Sequence, residues 1–532
     1  MGETKKYPIG VQSFEKIIDD GYLYVDKTES IYHLVKSNMY YFLSRPRRFG
    51  KSLFISTLEA FFLGKRELFR GLDIDRHDDL EWIKHPVFHL DFSGKDFSRD
   101  DLSLFNHIDS YLEKWEEEYG VTPKIKDVDT RFADVIMAAY KKTGLRAVVL
   151  VDEYDRPLLQ NLKKEKQARQ ESFRNLLKGF FGVMKRCDNY IRFGFLTGVT
   201  KFGRVSVFSD LNNLSDITLL RNYNAICGIT ETELAENFQE GIAALGEQYE
   251  LSYDETCAEL KTRYDGYRFS GWKVEGIYNP FSLLSAFNNL EFNDYWFLTA
   301  TPTMLIELLR GRNLPLSQLD GALRTEADLM GLEPMFKDPI PLLFQSGYLT
   351  IKGMRMDGGK KLYTLGFPNK EVESGFMDAL LPYYVNTDDF DEGFNISSFI
   401  DALRENRVDD FMEMMKSLMA GVPYNESGDK VGDKVYENRL RDVVFIICRL
   451  MGMSVDAECH TNRGRIDMTV KTDRFIYIFE FKVDESPEKA LEQIDEKHYA
   501  DPYIADGRTV VKVGVEFSTE ERNIRKWIPV EV

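Results

Sequence analysis

Two groups of residues in this 532-residue chain have the types and spacing for phosphate chemistry. The first is Arg45-Pro46-Arg47-Arg48-Phe49-Gly50-Lys51-Ser52, which follows an apolar run at 39–43 and precedes an apolar stretch at 53–63 stopped by Gly64. Gly50-Lys51-Ser52 supplies the second half of the pattern G-x-x-x-x-G-K-[S/T]. In that pattern backbone N–H groups at a helix N-terminus wrap phosphates, a Lys reaches the β/γ oxygens and a hydroxyl holds Mg²⁺. This chemistry assigns Arg47, Arg48, Phe49, Gly50, Lys51 and Ser52 to a nucleotide, ATP, with Ser52 also on the metal. Arg45 stands where the first Gly belongs, although that Gly usually permits a backbone geometry costly for other residues. An ordinary strand–turn–helix with surface arginines remains the alternative for this segment taken alone.

About a hundred residues downstream, Ala147-Val148-Val149-Leu150-Val151 ends in Asp152-Glu153. A continuous apolar run suits a parallel strand buried on both faces, and its C-terminal edge opens toward a ligand crevice. Asp152 is then placed to hold Mg²⁺ through water, and Glu153 to polarise the attacking water. The next apolar run ends in Leu-Thr-Gly-Val-Thr at 196–200. Thr197 and Thr200 are candidates to sense a γ-phosphate, or they are turn hydroxyls capping local backbone.

The second group is Asp467, Glu480 and Lys482. Ile476, Ile478, Glu480 and Lys482 share one face of a strand by the two-residue period. Burying a carboxylate and an ammonium on such a face is costly unless something compensates. A divalent cation would do so, with Asp467 on the neighbouring strand as a second oxygen ligand. A solvated strand-end ion pair is the other reading of this pattern.

These residues need elements to hold them. Apolar runs at 39–44, 87–92, 147–151 and 191–197 alternate with helical stretches, the pattern of an α/β fold with a mostly parallel sheet. Residues 226–375 turn helical and aromatic, with Tyr-Asp-Gly-Tyr at 264–267 and Tyr-Asn-Pro-Phe-Ser at 278–282. Within them, 341–352 predicts a helix, a turn at Gly347 and a strand, as in a small winged-helix-like lid. Polar clusters at 386–393 and 425–433 predict linkers. From 434 the order is helix (434–450), strands (453–459, 465–471, 474–482), helix (487–499) and strand (509–517), with Ser486-Pro487 starting the second helix. The expected domains are therefore 1–225, a P-loop domain; 226–385, a helical and winged-helix-like region; 386–433, a helical connection; and 434–532, an αβββαβ domain.

The N-terminal text resembles the AAA-ATPase-like family common in bacteria, which opens on Pro-Ile-Gly and Tyr-Val-Asp-Lys-Thr and carries Arg-Pro-Arg-Arg-Phe-Gly-Lys-Ser as its P-loop. Here these stand at 8–10, 24–28 and 45–52. The likeness implies that Arg for the first Gly modifies the loop without ruining it; hydrolysis, as opposed to binding, does not follow. The Asp467…Glu480-Phe481-Lys482 constellation resembles the PD-(D/E)xK nuclease superfamily, whose fold is restriction-endonuclease-like. In that superfamily the Asp and Glu bind Mg²⁺ and the Lys orients the water attacking a phosphodiester. By the same likeness Glu437 matches an additional acidic ligand, and Gln493 lies at the site's rim. Ile466 stands where the motif's Pro would be.

Composition bounds these readings. The net charge is −18, from 87 acidic and 69 basic residues. Non-specific nucleic-acid coating normally needs a basic protein, so contact with DNA or RNA is expected to be local or metal-assisted. Between 463 and 482, five basic residues face three acidic ones. Hydrophobic residues at 43% exclude whole-chain disorder. No apolar run approaches the ~18 residues of a membrane helix, and no secretory leader is expected. The five scattered cysteines, with no CxxC pair, point to thiols in a reducing cytoplasm. A homo-oligomer is compatible with the sequence but not read from it. Two functions stand: a nucleotide-gated, metal-dependent nuclease, or an ATP switch whose nuclease-like domain binds a partner without cutting.

Overall fold

Apolar runs without alternation do become strands covered on both faces. In the computed structural model, β1 (Tyr40–Ser44), β2 (Val87–Asp91), β3 (Ala147–Asp152) and β4 (Ile191–Gly198) join a short β5 (Ser215–Asp216). Their order is β2-β3-β4-β1-β5 and every pair is parallel. All residues of β1 and β3 are buried. Because β4 inserts between β1 and β3, three strand ends meet at one edge: Ser44 pairs with Gly198, and Val151 with Leu196. The described residues are 6–201, 207–208, 211, 213–297, 316–330, 338–384, 396–420, 433–451, 454–460 and 465–532. The linkers expected at 386–393 and 425–433 therefore lie outside them, except residue 433.

After the sheet comes a helical group: Glu231–Asn237, Gln239–Gln248, Tyr253–Tyr264 and Pro280–Asn289. Its helix starts are written in the sequence. Thr230 with Glu233 and Ser252 with Glu255 form reciprocal capping boxes. In Tyr-Asn-Pro-Phe-Ser, Asn279 accepts from the N–H groups of Phe281 and Ser282 while Pro280 occupies the first turn. Leu234, Phe238, Ile242, Leu260 and Phe287 fill the core between these helices. The helix–turn–strand expected at 341–352 appears as Ile340–Ser346, a left-handed Gly347 and β7 (Thr350–Asp357), which pairs with β8 (Lys360–Gly366). β6 (Leu323–Thr325) completes an antiparallel sheet in the order β6-β8-β7.

The chain divides into two compact units, residues 1–300 with 323–370, and residues 301–322 with 371–532. In the second unit β9 (Ser454–His460), β10 (Arg465–Lys471), β11 (Phe475–Val483), β12 (Thr509–Ser518) and β13 (Asn523–Glu531) form a mixed sheet. Only the β11–β12 pairing is parallel, and the helix Pro487–Glu496 connects those two strands. Ser486 is its N-cap residue, with Pro487 in the first turn. The last strand expected from the sequence, 509–517, is β12, and no strand was expected in the rest of the 434–532 domain; β13 interleaves Arg525, Lys526 and Pro529 with apolar residues, a pattern an edge strand tolerates. The helices Ile396–Arg404 and Val408–Ala420 belong to this unit: Tyr477 Oη donates to the Leu403 carbonyl at 2.6 Å, and Trp527 Nε1 to Asp409 at 2.9 Å. Among the described residues no helix is long and apolar enough to cross a membrane.

Gly266, in Tyr-Asp-Gly-Tyr, has φ +98°, and a Cβ there would stand 2.1 Å from the Pro368 carbonyl oxygen. Gly266→Ala should therefore lower stability by about 2 kcal/mol or more, from left-handed strain plus backbone displacement. An unchanged denaturation midpoint would refute this account.

Candidate functional site

The phosphate-type loop is built on one left-handed glycine. Gly50 caps the helix Lys51–Phe62 with φ +88°, a conformation free of strain only without a Cβ. Arg48 also has positive φ, at 64°, whereas Arg45 does not. The residue in the first-Gly position thus needs no glycine backbone. Its side chain does different work. Arg45 is 1% exposed, and its guanidinium donates to the carbonyls of Ser44 (2.9 Å), Thr218 (2.9 Å) and Tyr223 (2.7 Å). It lies 4.0 Å over the Phe269 ring, and burial pulls its pKa down to about 10.

Each following loop residue is gripped by the helical and hairpin region. A Cβ on Gly347 would come within 2.7 Å of Pro46. Trp296 Nε1 donates to the Arg47 carbonyl at 3.2 Å, and Arg48 lies 3.9 Å over Phe281. Phe49 is fully buried, edge-on to Tyr267 and Phe269 at 4.7 and 5.4 Å. Of the residues expected on a nucleotide, Arg47, Arg48 and Gly50 are exposed at the loop, and Phe49 offers its backbone while its ring joins an apolar cavity. Pro8, Tyr24 and Val25, from the Pro-Ile-Gly and Tyr-Val-Asp-Lys-Thr passages, line that cavity with Leu23, Leu53, Ile226 and Leu284. An apolar pocket beside the loop suits a purine ring.

Lys51 is buried, its ammonium donating to the carbonyls of Arg45 (3.0 Å) and Pro46 (2.8 Å). Asp152, 2% exposed, accepts from Thr197 Oγ1 at 2.6 Å and is also hydrogen-bonded to Ser52. Burial raises the Asp152 pKa, against the hydrogen bonds from Ser52 and Thr197 and the Lys51 charge. The strand ends thus bring Lys51, Ser52, Asp152 and Thr197 together. A hydroxyl beside a carboxylate is an all-oxygen donor set, which fits Mg²⁺. Glu153 follows with φ 51° and is ion-paired with Arg156 at 2.9 Å. Thr200 is engaged elsewhere: its N–H and hydroxyl each donate to Asp155 at 2.6 Å. Asp155 is fully buried, and burial raises its pKa. Sequence reasoning passed over Asp155 and Arg156, although both sit in Asp-Glu-Tyr-Asp-Arg directly after the strand.

In the second unit the register pairs Met468 with Phe479. One further step sets Asp467 opposite Glu480 on the same face. The Phe481 N–H donates to Asp467 Oδ2 at 3.0 Å. Glu480 is 2% exposed, and its Oε2 is buried without a hydrogen-bond partner. Its Oε1 accepts from Gln493 Nε2 and lies 3.6 Å from Lys482 Nζ, which donates to Gln493 Oε1 at 2.5 Å. Gln493, on the helix Pro487–Glu496, therefore bridges the carboxylate and the lysine. Burial and the neighbouring Asp467 push Glu480 up to about 7, while Lys482 pulls it back. An orphaned buried carboxylate oxygen facing a second carboxylate fits a divalent cation. Among the described residues no group of three or more His, Cys, Asp or Glu gathers. Glu437 lies in the helix Asp433–Leu450, and its side chain is outside the described residues.

Residues 8–208 match the model of a family described as predicted AAA-ATPase, and residues 435–527 match the PD-(D/E)XK nuclease superfamily. An uncharacterized protein in the vnfD 5′ region of Azotobacter chroococcum mcd 1 is 38% identical over 524 residues, 98% of each chain.

Arg45→Gly, which restores the glycine of the general pattern, should destabilise the protein. It leaves three carbonyls without their donor, at ~1–3 kcal/mol for each that stays buried and unpaired. The midpoint of chemical denaturation checks this; a variant as stable as the parent would show that Arg45 is not the clip.

Proposed function

Since the chain belongs to the AAA-ATPase-like family and carries a PD-(D/E)XK nuclease-superfamily domain, we propose that it binds and hydrolyses ATP with magnesium and uses its C-terminal domain to cut DNA or RNA with a divalent metal. Free buried thiols at Cys187, Cys227 and Cys448 suit work in the cytoplasm. The observation that carries the nuclease half is Glu480: a buried carboxylate with one orphaned oxygen, beside Asp467, Lys482 and Gln493.

In the first unit Lys51 would exchange the carbonyls of Arg45 and Pro46 for phosphate oxygens, with no change of helix position. Ser52 and Asp152 would hold the cation, and Thr197 fixes the Asp152 carboxylate. Glu153 would accept a proton from the attacking water once its pairing with Arg156 gives way. In the second unit Asp467 and Glu480 would be metal ligands. Gln493 holds Lys482 where its ammonium would orient the attacking water. Bound metal in both sites would supply charge to offset that developing on the phosphate. The net charge of −18 favours a second reading, in which the C-terminal domain docks a partner without cutting.

Lys51→Ala should abolish ATP binding measured by calorimetry, whereas Glu153→Gln should bind ATP normally and hydrolyse it ~10²-fold more slowly. Normal affinity in folded Lys51→Ala removes the nucleotide assignment, and normal turnover in Glu153→Gln removes the base.

Plasmid or RNA cleavage in Mg²⁺ or Mn²⁺ should vanish in Asp467→Ala, with ATP affinity retained. A wild-type protein that cuts neither substrate, yet retains a partner, would establish the docking reading instead.

A further inference from the structure

The loop at 45–51 carries Arg45, Arg47, Arg48 and Lys51, and the fold satisfies the first and the last. The Arg45 guanidinium donates to three carbonyls and the Lys51 ammonium to two. Arg47 and Arg48 are exposed, with no ion pair and no side-chain hydrogen bond among the described residues. Arg48 is nevertheless held in one place. Its guanidinium lies 3.9 Å over the Phe281 ring, and partial burial together with the Arg47 charge pulls its pKa below the usual arginine value. Its backbone is strained as well. A φ of 64° lies in the left-handed region, and such strain persists in a residue other than glycine where packing imposes it, often at ligand clamps. Gly50, two residues on, is also left-handed, at φ 88°. Left-handed residues recurring in a short loop shape the backbone into a concavity whose N–H groups converge on an anion. Packing on both sides of Arg48 fixes that shape: Trp296 Nε1 donates to the Arg47 carbonyl, and the Phe49 ring is buried against Tyr267.

A glycine at 48 would remove the strain, but also the cation. The fold thus bears a backbone cost to keep an oriented, unpaired guanidinium three residues before the helix Lys51–Phe62 begins. A donor already in position is worth most where charge develops during a reaction, because nothing has to be reorganised at that moment. We propose that Arg48 is a catalytic residue for ATP hydrolysis, donating to oxygens of the terminal phosphate, so that the chain supplies this charge from its own loop and not from a second copy. This rests on the ATP-hydrolysis reading of the site. Water adds to the γ-phosphorus and its proton passes to Glu153; the bond to the bridging oxygen breaks, and ADP leaves with the electron pair. Negative charge then grows on the bridging and terminal oxygens, and a planar guanidinium can donate to two of them at once. Arg47 beside it adds to the local positive charge.

The test is ATP turnover and nucleotide binding by the full-length protein in Mg²⁺, for the wild type, Arg48→Gly and Arg48→Lys. Glycine relieves the left-handed strain, so Arg48→Gly should keep a denaturation midpoint close to the parent's, and lost activity there is not lost fold. Its kcat should fall ~10²-fold or more, while KM moves by no more than about threefold. Arg48→Lys should recover part of the rate, as a point charge without the two-pronged donor. In calorimetry the wild type should bind ADP with aluminium fluoride, a mimic of the transferring phosphoryl group, ~10²-fold more tightly than ADP alone. Arg48→Gly should keep its ADP affinity and lose that gain. Turnover per molecule of wild type should not change on dilution. Loss of ADP affinity in Arg48→Gly to the same extent as loss of rate would make Arg48 a mere part of the loop's structure and overturn the proposal. So would turnover per molecule that rises with protein concentration, which would place the needed cation on a second copy. A wild type that turns over no ATP would remove the hydrolysis reading and the proposal together; an active wild type equalled by Arg48→Gly would remove the proposal alone.

Discussion

A guanidinium with no solvent contact, donating to three main-chain carbonyls, holds the nucleotide loop in place. Arg45 ties the end of β1 to residues 218 and 223, partners 173 and 178 residues away in the chain, and stacks on Phe269. A buried cation is strongly disfavoured unless carbonyl dipoles and an aromatic face replace its water. Here they do. The consequence is cooperative: the arginine stays buried only if the segment after β5 and the aromatic turn at 267–269 are both in position. The five residues from Arg45 to Phe49 then have their side chains or carbonyls fixed by Phe269, Gly347, Trp296, Phe281 and Tyr267. In a glycine-rich loop the backbone itself supplies adaptability; in this one the shape is imposed from outside, by packing.

That packing sets the electrostatics of the strand ends. Asp152 and Asp155 are both buried and both have raised pKa values from desolvation, yet they are compensated differently. Asp155 receives the Val199 and Thr200 amides and the Thr200 hydroxyl, a set of fixed dipoles that ties the β4 exit to the β3 exit. Asp152 receives two hydroxyls, from Ser52 and Thr197, and the nearby Lys51 charge. A carboxylate satisfied by backbone amides is structural, because nothing can displace those donors without unfolding the turn. One satisfied by mobile hydroxyls can exchange them for a cation's coordination sphere, which is the behaviour the proposed magnesium site requires.

The strands of the two sheets were legible because burial on both faces, or on one face at a two-residue period, leaves a direct trace in residue type. β1 to β4 and β9 to β12 follow from that trace. β5, at two residues, is too short to carry any period, and the polar, Pro-containing β13 hides it. Lys51, Ser52, Asp152 and Glu153 were found through local context. The roles of Arg45, Asp155, Arg156 and Gln493 depend on what they meet after folding. Nothing in residues 44–52 indicates that Arg45 is inside while Arg47 and Arg48 are outside, since that distinction is made by Thr218, Tyr223 and Phe269. Likewise the separate engagements of Thr197 and Thr200 follow from which carboxylate each meets across the β3–β4 edge, a matter of register.

The two candidate sites differ in how far their charges are settled by the protein itself. At Asp152 the donors are complete enough that the carboxylate sits in a ready-made pocket of hydroxyls and a lysine. At Glu480 one oxygen has no donor, and the partner across the strand is a second carboxylate, so burial and like charge act in the same direction. Gln493 cannot relieve this, because its amide N–H reaches only Oε1 and its carbonyl is taken by Lys482. Lys482, 3.6 Å away, offsets part of the charge but is shared with Gln493. A neutral residue of similar size in place of Glu480 would relieve the local strain, and an Ile-rich strand face such as 476–480 could readily accommodate one. The arrangement makes physical sense as an electrostatic deficit held ready for a cation, which is why Glu480, more than the acid or base at any other point of the second unit, marks where its chemistry is expected.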